Sequence, residues 1–215
     1  YSIFLEQERN KSEKLLHNIM PKSIAEKLKN NIKTISMDNP EISVLFADIV
    51  SFTEMSEKIS SEKIVGFLND MFSQFDDLTE KYGVEKIKTI GDSYMVVSGM
   101  PVQREDHALI LFNLAKEMIK ISAQFKDHNG NPIKLRIGIN SGPAISGVIG
   151  KSKFAFDVWG DTINTAARLE SYGSPDCINM SKNTFDLINY KDSNIERKTI
   201  QIRGKGLMET VLVHI

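Results

Sequence analysis

The sequence predicts an α+β fold, in which a sheet is covered by helices largely on one face and preceded by a helical extension. Apolar runs of strand length are interleaved with stretches of helical periodicity, and no βα unit repeats, which favours an α+β sheet. Hydrophobic residues make up 41% of the 215 residues, enough for the core of one globular domain.

Charge and cysteine content exclude several classes of protein. The formal net charge is −1 and the charges are interspersed, so the chain has no basic footprint for nucleic acid. Cys177 is the only cysteine, so no internal disulfide can form. Nothing resembles a secretory signal or an apolar span of about 18 residues, and we expect a cytoplasmic location. Because the chain starts without Met, we expect a piece of a longer protein, and the cytosolic domain of a membrane-anchored protein fits equally well.

The N-terminal region divides into two segments. The pattern of residues 1–20 predicts a helix that is a candidate for a coiled coil. Only three of the five heptad seam positions in this helix are apolar. Residues 21–40 predict a connector. In this connector, Pro21 starts a short helix that reaches Lys29, and a polar run follows as a strand or link into the core.

The catalytic-looking part of the sequence begins near Glu41 and extends over residues 41–215. Its predicted strands are 42–48, 84–90, 93–98, 133–140, 144–149 and 153–158, and its predicted helices are 53–58, 62–82, 104–128, 161–172 and 181–189. Asp161 is the expected N-cap of the helix over 161–172. The remaining segments towards the C-terminus predict short strands.

Two aspartates carry the most informative signal in the chain. Asp48 ends a buried apolar run, and Asp92 sits in a Gly-Asp turn between two apolar strands. Carboxylates presented from adjacent strand ends suit a pair of Mg²⁺ ions bridged by phosphate oxygens. The turn after Asp48 leads into a helix whose free amides at Phe52 and Thr53 can cradle a triphosphate.

Five ordered motifs show a resemblance to a known family. The segments SVLFADIVSFT, EKIKTIGDSYMVVSG, LRIGINSGPAISGVIG, FDVWGDTINTAARLES and IRGKGL resemble the class III nucleotidyl cyclase catalytic domain of the adenylate cyclase type. The resemblance implies a ferredoxin-like core, a head-to-tail dimer with active sites at the subunit interface, and conversion of a nucleoside triphosphate to its 3′,5′-cyclic monophosphate and pyrophosphate. Residues just before the domain also look like the family's transducer segment.

The resemblance also implies the roles of individual residues. Asp48, Asp92 and the backbone carbonyl of Ile49 would hold two Mg²⁺ ions, for which Mn²⁺ is expected to substitute. Arg136 and Arg203 would bind phosphate, Asn164 would orient the ribose, and Arg168 would stabilise the pentavalent phosphate.

Base choice follows from hydrogen-bond donors and acceptors. Adenine offers an amino donor at N6 beside an acceptor at N1, which a lysine and an aspartate complement. Lys88 and Asp157 stand at the family's two base-reading positions, where guanylate cyclases typically have Glu and Cys. The resemblance therefore implies an adenylate cyclase that binds ATP.

The chain departs from the family pattern at one phosphate-binding position. Arg203 stands where a lysine is common, so charge is kept while geometry changes, and Lys205 is an alternative contact. Two other functions remain open: a guanylate cyclase, and a non-catalytic cyclase-homology module with a regulatory role. The expected partners are ATP, a second copy of the chain in a homodimer, and an upstream sensor or membrane domain.

Overall fold

A computed structural model describes residues 2–30, 34–150, 152–191 and 194–215. Within these ranges one mixed sheet runs in the order β2-β3-β1-β4-β6-β8-β7, with β5 paired to β4 outside that path. The order β2-β3-β1-β4, with helices between β1 and β2 and between β3 and β4, is that of a ferredoxin-like core. The predicted α+β fold is confirmed, while residue 1 of the predicted extension and residues 31–33 of the predicted connector lie outside the described ranges.

The elements have the following bounds. The helices are α1 Ser2–His17, α2 Lys22–Lys29, α3 Phe52–Lys58, α4 Ser61–Tyr82, α5 His107–Ser122, α6 Asp161–Ser171 and α7 Lys182–Ile188. The strands are β1 Ile35–Ile49, β2 Glu85–Ile90, β3 Ser93–Ser98, β4 Leu135–Ile149, β5 Ala155–Trp159, β6 Cys177–Ser181, β7 Ile195–Ile202 and β8 Gly206–His214.

The two longest strands, β1 and β4, form the centre of the sheet and pair antiparallel along their length. The prediction of two separate strands over 133–149 is wrong, because β4 continues through Gly142 and Pro143. Pro143 lacks a backbone N–H, and it is tolerated where the β1–β4 register shifts between Asn39 and Ile42, at an irregularity of the kind that accommodates proline.

The core lies on both faces of the sheet, which corrects the expectation that one face is largely left uncovered. On β1, Leu45, Ala47 and Ile49 contribute to a cluster shared with α4, α5 and α7. The alternate residues Ile42, Val44 and Phe46 contribute to a second cluster shared with α2 and α6. Because successive strand residues point to opposite faces, the continuous apolar run of β1 indicates a strand buried on both sides.

Helix α5 is shorter than the predicted helix over 104–128. Before it, the guanidinium of Arg104 donates hydrogen bonds of 2.7 and 3.1 Å to the carboxylate of Asp106, and this local pairing competes with a helical turn. After it, the Asp127 side chain accepts hydrogen bonds from the backbone N–H groups of Asn129 and Asn131. That arrangement builds a turn in place of further helix.

Helix α6 packs unusually close to β4. A Cβ atom at Gly138 would lie 2.2 Å from the backbone nitrogen of Glu170 and 2.5 Å from the carbonyl oxygen of Ala166, so only glycine permits this approach. Gly160 is the N-cap of α6, which corrects the prediction for Asp161. Asp161 is the first helical residue, and its side chain instead forms an ion pair with Lys205.

The N-terminal helices α1 and α2 lie against each other through an ion pair of 2.9 Å between Glu13 and Lys29. Ile24 and Ala25 of α2 are buried in the core, whereas Phe4, Leu5 and Leu15 of α1 are exposed. Pairing of α1 in a coiled coil stays a prediction. No helix within the described ranges is both long and apolar enough to cross a membrane.

Candidate active site

The two aspartates meet at one end of the central strands. Ala47 of β1 pairs with Tyr94 of β3, so Asp48 and Ile49 lie opposite the turn that carries Asp92. This turn joins β2 to β3, and Gly91 supplies the positive φ of 60° that it requires. Pairing of adjacent strand ends therefore brings the carboxylates of Asp48 and Asp92 together, as the sequence predicts.

The electrostatics of Asp92 record this proximity. The pKa of the Asp92 carboxyl is raised to about 6, chiefly by burial and then by a hydrogen bond with Asp48 and by the Asp48 charge. Backbone hydrogen bonds from Ile49 and from Asp92 itself act in the opposite direction. Two carboxylates that share one partly buried site cannot both ionise freely, so the site favours a proton or a cation between them.

Arg136 lies beside Asp48 because the two residues are direct partners across β1 and β4. Its Nη2 donates a hydrogen bond of 2.7 Å to Oδ2 of Asp48. This bond is the largest cause of the raised pKa of Arg136. A predicted phosphate-binding residue thus contacts a predicted metal ligand within one chain.

Glu170 is a member of this cluster that the sequence motifs did not single out. It lies near the end of α6, and its Oε1 is 3.2 Å from Nε of Arg136. Burial raises the pKa of Glu170 to about 7, and the charge of Asp48 contributes to the rise while Arg136 opposes it. An acid in an amphipathic helix carries no sequence signal of such a contact, which depends on the close approach of α6 to β4.

The turn after Ile49 is shaped for exposed amides. Ser51 is the N-cap of α3 in the left-handed region, with φ of 59°, and its side chain makes no capping hydrogen bond. The first backbone amides of α3, which include those of Phe52 and Thr53, are therefore not used by Ser51. This leaves them able to bind an anion near Asp48, in keeping with the predicted role of this turn.

The two predicted base-reading residues also meet. The Lys88 ammonium on β2 forms an ion pair with the Asp157 carboxylate on β5, and the two residues are 69 positions apart in the sequence. The other Asp157 oxygen accepts a hydrogen bond of 2.8 Å from the backbone N–H of Val158. This bond fixes the orientation of the carboxylate.

Asn164 and Arg168 lie four residues apart on α6, so both side chains leave the same side of the helix. The turn between β7 and β8 covers this side: a Cβ atom at Gly204 would lie 3.7 Å from Nη1 of Arg168. Lys205 of the same turn is occupied by its ion pair with Asp161. Arg203 has no ion pair among the described residues, which leaves its charge available.

Two groups of predicted site residues therefore occupy different sides of one chain. Successive helical residues are rotated by about 100°, so Arg168 and Glu170 leave α6 in nearly opposite directions. Glu170 faces Arg136 and the aspartates, and Arg168 faces the turn at Gly204. Within the described ranges, no hydrogen bond or ion pair joins Asn164, Arg168, Lys88 or Asp157 to Asp48 or Asp92.

The aspartate cluster fits a divalent cation. Mg²⁺ is usually held by one or two carboxylates, with substrate phosphate and water completing its coordination. Asp48 and Asp92 supply two carboxylates, and the backbone of Ile49 lies against Asp92. The described residues contain no group of three or more His, Cys, Asp or Glu suited to a metal ion, so a cation here would depend on backbone, water and phosphate oxygens as well.

Comparisons with known proteins agree with this geometry. A family model described as the adenylate and guanylate cyclase catalytic domain matches residues 35–215. An adenylate cyclase of Mycobacterium tuberculosis is 45% identical over 209 residues, which cover 96% of this chain and 47% of the relative. The chain thus spans about half the length of this relative.

Guanylate cyclases are similar as well. The soluble guanylate cyclase subunit beta-2 of Rattus norvegicus is 39% identical over 206 residues, which cover 94% of this chain and 30% of the relative. Among solved structures, the catalytic core of a rhodopsin-guanylyl cyclase with converted specificity, in complex with ATPαS, superposes with a TM-score of 0.78 at 36% identity. That match covers 83% of this chain and 97% of the other.

Proposed function

Because this chain belongs to the adenylate and guanylate cyclase catalytic-domain family, with a family match over residues 35–215, we propose that it converts ATP to 3′,5′-cyclic AMP and pyrophosphate. The family match makes it a nucleotide cyclase domain, and the choice of ATP is the finer proposal. The ion pair of Lys88 with Asp157 is the observation that carries this choice.

Lys88 and Asp157 form a donor and an acceptor at one place. A lysine ammonium donates to N1 of adenine, and a carboxylate accepts from the N6 amino group. Guanine presents the reverse arrangement, an O6 acceptor beside an N1 donor, and would set its N1–H against the ammonium. When adenine enters, Lys88 and Asp157 lose their contact with each other. Each of them gains a hydrogen bond to the base instead, so adenine is favoured.

The reaction joins the ribose 3′-oxygen to the α-phosphorus and expels pyrophosphate. Two Mg²⁺ ions at Asp48 and Asp92 would supply acidification of the 3′-hydroxyl and neutralisation of phosphate charge. The chain's own residues add binding and orientation. Amides at Phe52 and Thr53 and the guanidinium of Arg136 bind phosphate oxygens, and Arg203 contributes a further positive charge.

Asn164 and Arg168 serve the reacting centre. The Asn164 amide, on the exposed side of α6, would orient the ribose. The Arg168 guanidinium would balance the charge that spreads over the phosphate as it becomes pentavalent. This guanidinium lies next to the turn at Gly204, and a cation that is already in place lowers the cost of orientation in the transition state.

The active site is proposed to form between two copies of the chain. Arg168 and Glu170 leave α6 in nearly opposite directions, so the side chain that meets the phosphate cannot face its own Asp48. Pairing two copies head to tail would place Lys88, Asp157, Asn164 and Arg168 of one copy against Asp48 and Asp92 of the other. A homodimer built this way has two equivalent sites.

A direct assay tests the proposal. The purified chain is incubated with ATP or GTP and with Mg²⁺ or Mn²⁺, at concentrations high enough for dimers to form, and cyclic products are separated by chromatography. Cyclic AMP formed in large excess over cyclic GTP supports the proposal. Preference for GTP would make it a guanylate cyclase, and no product under any condition, with Asp92→Ala indistinguishable from the parent, would favour a non-catalytic regulatory module.

The wider context is proposed from the partial match alone. Since the chain spans about half of the mycobacterial relative, we infer that further domains regulate it, with an upstream sensor or membrane domain acting through α1 and α2. The catalytic domain itself is proposed to work in the cytoplasm, where ATP and Mg²⁺ are present. Removing residues 2–17 and measuring self-association by sedimentation tests whether α1 contributes to the dimer.

A further inference from the structure

Arg136 is held from two sides by different carboxylates. Its Nη2 donates to Asp48 over 2.7 Å, and its Nε lies 3.2 Å from Oε1 of Glu170. The second contact is an ion pair without the alignment of a hydrogen bond, since Nε and Oε1 both lack an aligned partner. The guanidinium therefore has a well-formed bond on its Nη side and a loose charge contact on its Nε side.

Binding of metal and substrate would affect the two carboxylates differently. The proposed function assigns Asp48 to the metal ions, and an arginine cation beside a doubly charged metal ion is repelled by it. Glu170 contacts no other cation among the described residues, and only 11% of its side chain is exposed. The Glu170 carboxyl group therefore stays beside Nε of Arg136 when Asp48 binds metal.

The contact between Arg136 and Glu170 depends on the close approach of α6 to β4. Arg136 and Gly138 are two apart on β4 and therefore point to the same face of the strand. Gly138 has no side chain, so the backbone of Glu170 can approach it closely. A Cβ atom at Gly138 would lie only 2.2 Å from the backbone nitrogen of Glu170. The Glu170 carboxylate then reaches Nε of Arg136 from the helix that covers this face.

We infer that Glu170 is a positioning residue for triphosphate binding: it holds Arg136 at Nε, so that Nη2 can turn from Asp48 to a phosphate oxygen and Nη1 can bind a second one. This inference rests on the proposed function and adds to it a residue that touches neither substrate nor metal. An arginine held at Nε presents its two Nη donors as a fork, the geometry that suits bidentate binding of phosphate.

The burial of Glu170 argues against a role in packing alone. Burial raises its pKa to about 7, so the charged form is costly at this position. A glutamine of the same shape would fill the space without that cost, and Arg136 would keep its hydrogen bond to Asp48, so no buried cation would be left without a partner. The charge is therefore expected to matter for Arg136 and not for the fold.

Calorimetry with inorganic tripolyphosphate tests the inference without requiring turnover. Titrations with and without Mg²⁺ are compared for the parent chain, Glu170→Gln, Arg136→Gln and the double variant. We expect Glu170→Gln to weaken tripolyphosphate binding about tenfold, because the charge contact that holds Nε of Arg136 is lost while the shape of the side chain is kept. The double variant should bind no more weakly than Arg136→Gln, because Glu170 acts through Arg136.

Glu117→Gln is the matched control, since Glu117 is also a helical glutamate in an ion pair, 3.6 Å from Lys81. This variant should bind tripolyphosphate as the parent chain does. Unchanged tripolyphosphate binding in Glu170→Gln would overturn the inference, as would additive losses in the double variant. If Glu170→Gln folds poorly, Glu170→Asp replaces it, because the shorter side chain keeps the carboxylate but moves it away from Nε of Arg136. The losses of Glu170→Asp and Arg136→Gln are again expected not to add. Turnover of ATP or GTP by the parent chain is scored separately, so failure of the proposed function is distinguishable from failure of the role of Glu170.

Discussion

Lys88 and Asp157 form an ion pair that ties the edge strand β2 to β5, although 69 positions separate them. The β2–β3 register shifts between Lys86 and Lys88, and the two lysines take acidic partners on different elements. Lys86 contacts Asp76 of α4 over 2.6 Å, and Lys88 contacts Asp157. Lys86 therefore has a structural contact within the chain, whereas Lys88 is the lysine that we assign to base recognition.

Exchange of the pair should transfer base preference. We expect the double variant Lys88→Glu with Asp157→Cys to favour GTP over ATP, because the acceptor then faces the N1 donor of guanine. Either single exchange should reduce turnover of both nucleotides, since one partly buried member of the pair loses its partner. Product analysis with each nucleotide measures the ratio.

The matched control for this exchange is Lys198→Glu, which alters another strand lysine with an acidic neighbour, Glu196 at 3.1 Å. It should leave the ratio of the two products unchanged. Retained preference for ATP in the double variant would contradict the assignment of Lys88 and Asp157.

Asp92→Asn should abolish most turnover while the fold survives. The amide has the same shape but is a much weaker metal ligand, so we expect a loss on the order of 100-fold or more in product formation. Thermal unfolding without metal should show no loss of stability, because the substitution removes a carboxyl group that faces Asp48. Activity near that of the parent chain would mean that other groups hold the metal.

Glu85 should make stability depend on pH. Burial raises its pKa from 4.5 to about 7, so the folded state binds this proton more tightly than the unfolded state does. Its contribution is then neutral below about pH 4.5, becomes destabilising as pH rises towards 7, and is constant above that. Glu85→Gln should therefore raise the melting temperature relative to the parent at pH 8 and leave it nearly unchanged at pH 4.5.

The control for Glu85 is Glu80→Gln, at an exposed position near the end of α4, where no change of this kind is expected. Differential scanning fluorimetry across the pH range provides the measurement. A melting-temperature difference for Glu85→Gln that is the same at every pH would refute the account.

Two glycine substitutions should act in opposite directions. Gly138→Ala places a Cβ atom 2.2 Å from the backbone of Glu170, and we expect a loss of about 3 kcal/mol or more in the free energy of unfolding. Gly66 lies within α4 and has no atom within 4 Å of an added Cβ, so Gly66→Ala should gain about 0.5–1 kcal/mol. Urea unfolding of both variants measures the contrast, and equal effects would contradict the close packing of α6 on β4.

Local patterns in the sequence were sufficient for most elements. The apolar run before Asp48 predicts a buried strand, and Gly91-Asp92 predicts the hairpin turn, because turn chemistry and periodicity act over short distances. Patterns of this kind fail where a distant residue decides. The strand β4 continues through Pro143 because β1, which is far from it in sequence, shifts register opposite it. The early end of α5 is a different case, since the hydrogen bonds from Asn129 and Asn131 to Asp127 are local.

By itself, the sequence determined the element types, the strand-end position of Asp48 and Asp92, and the motifs that point to a nucleotide cyclase, since these depend on residues close together in the chain. Only the tertiary structure decided that Arg136 lies between Asp48 and Glu170, and that Arg168 leaves α6 on the side away from them. Those relationships arise from strand register and from the close approach of a helix over Gly138, and both are set by packing between segments far apart in sequence.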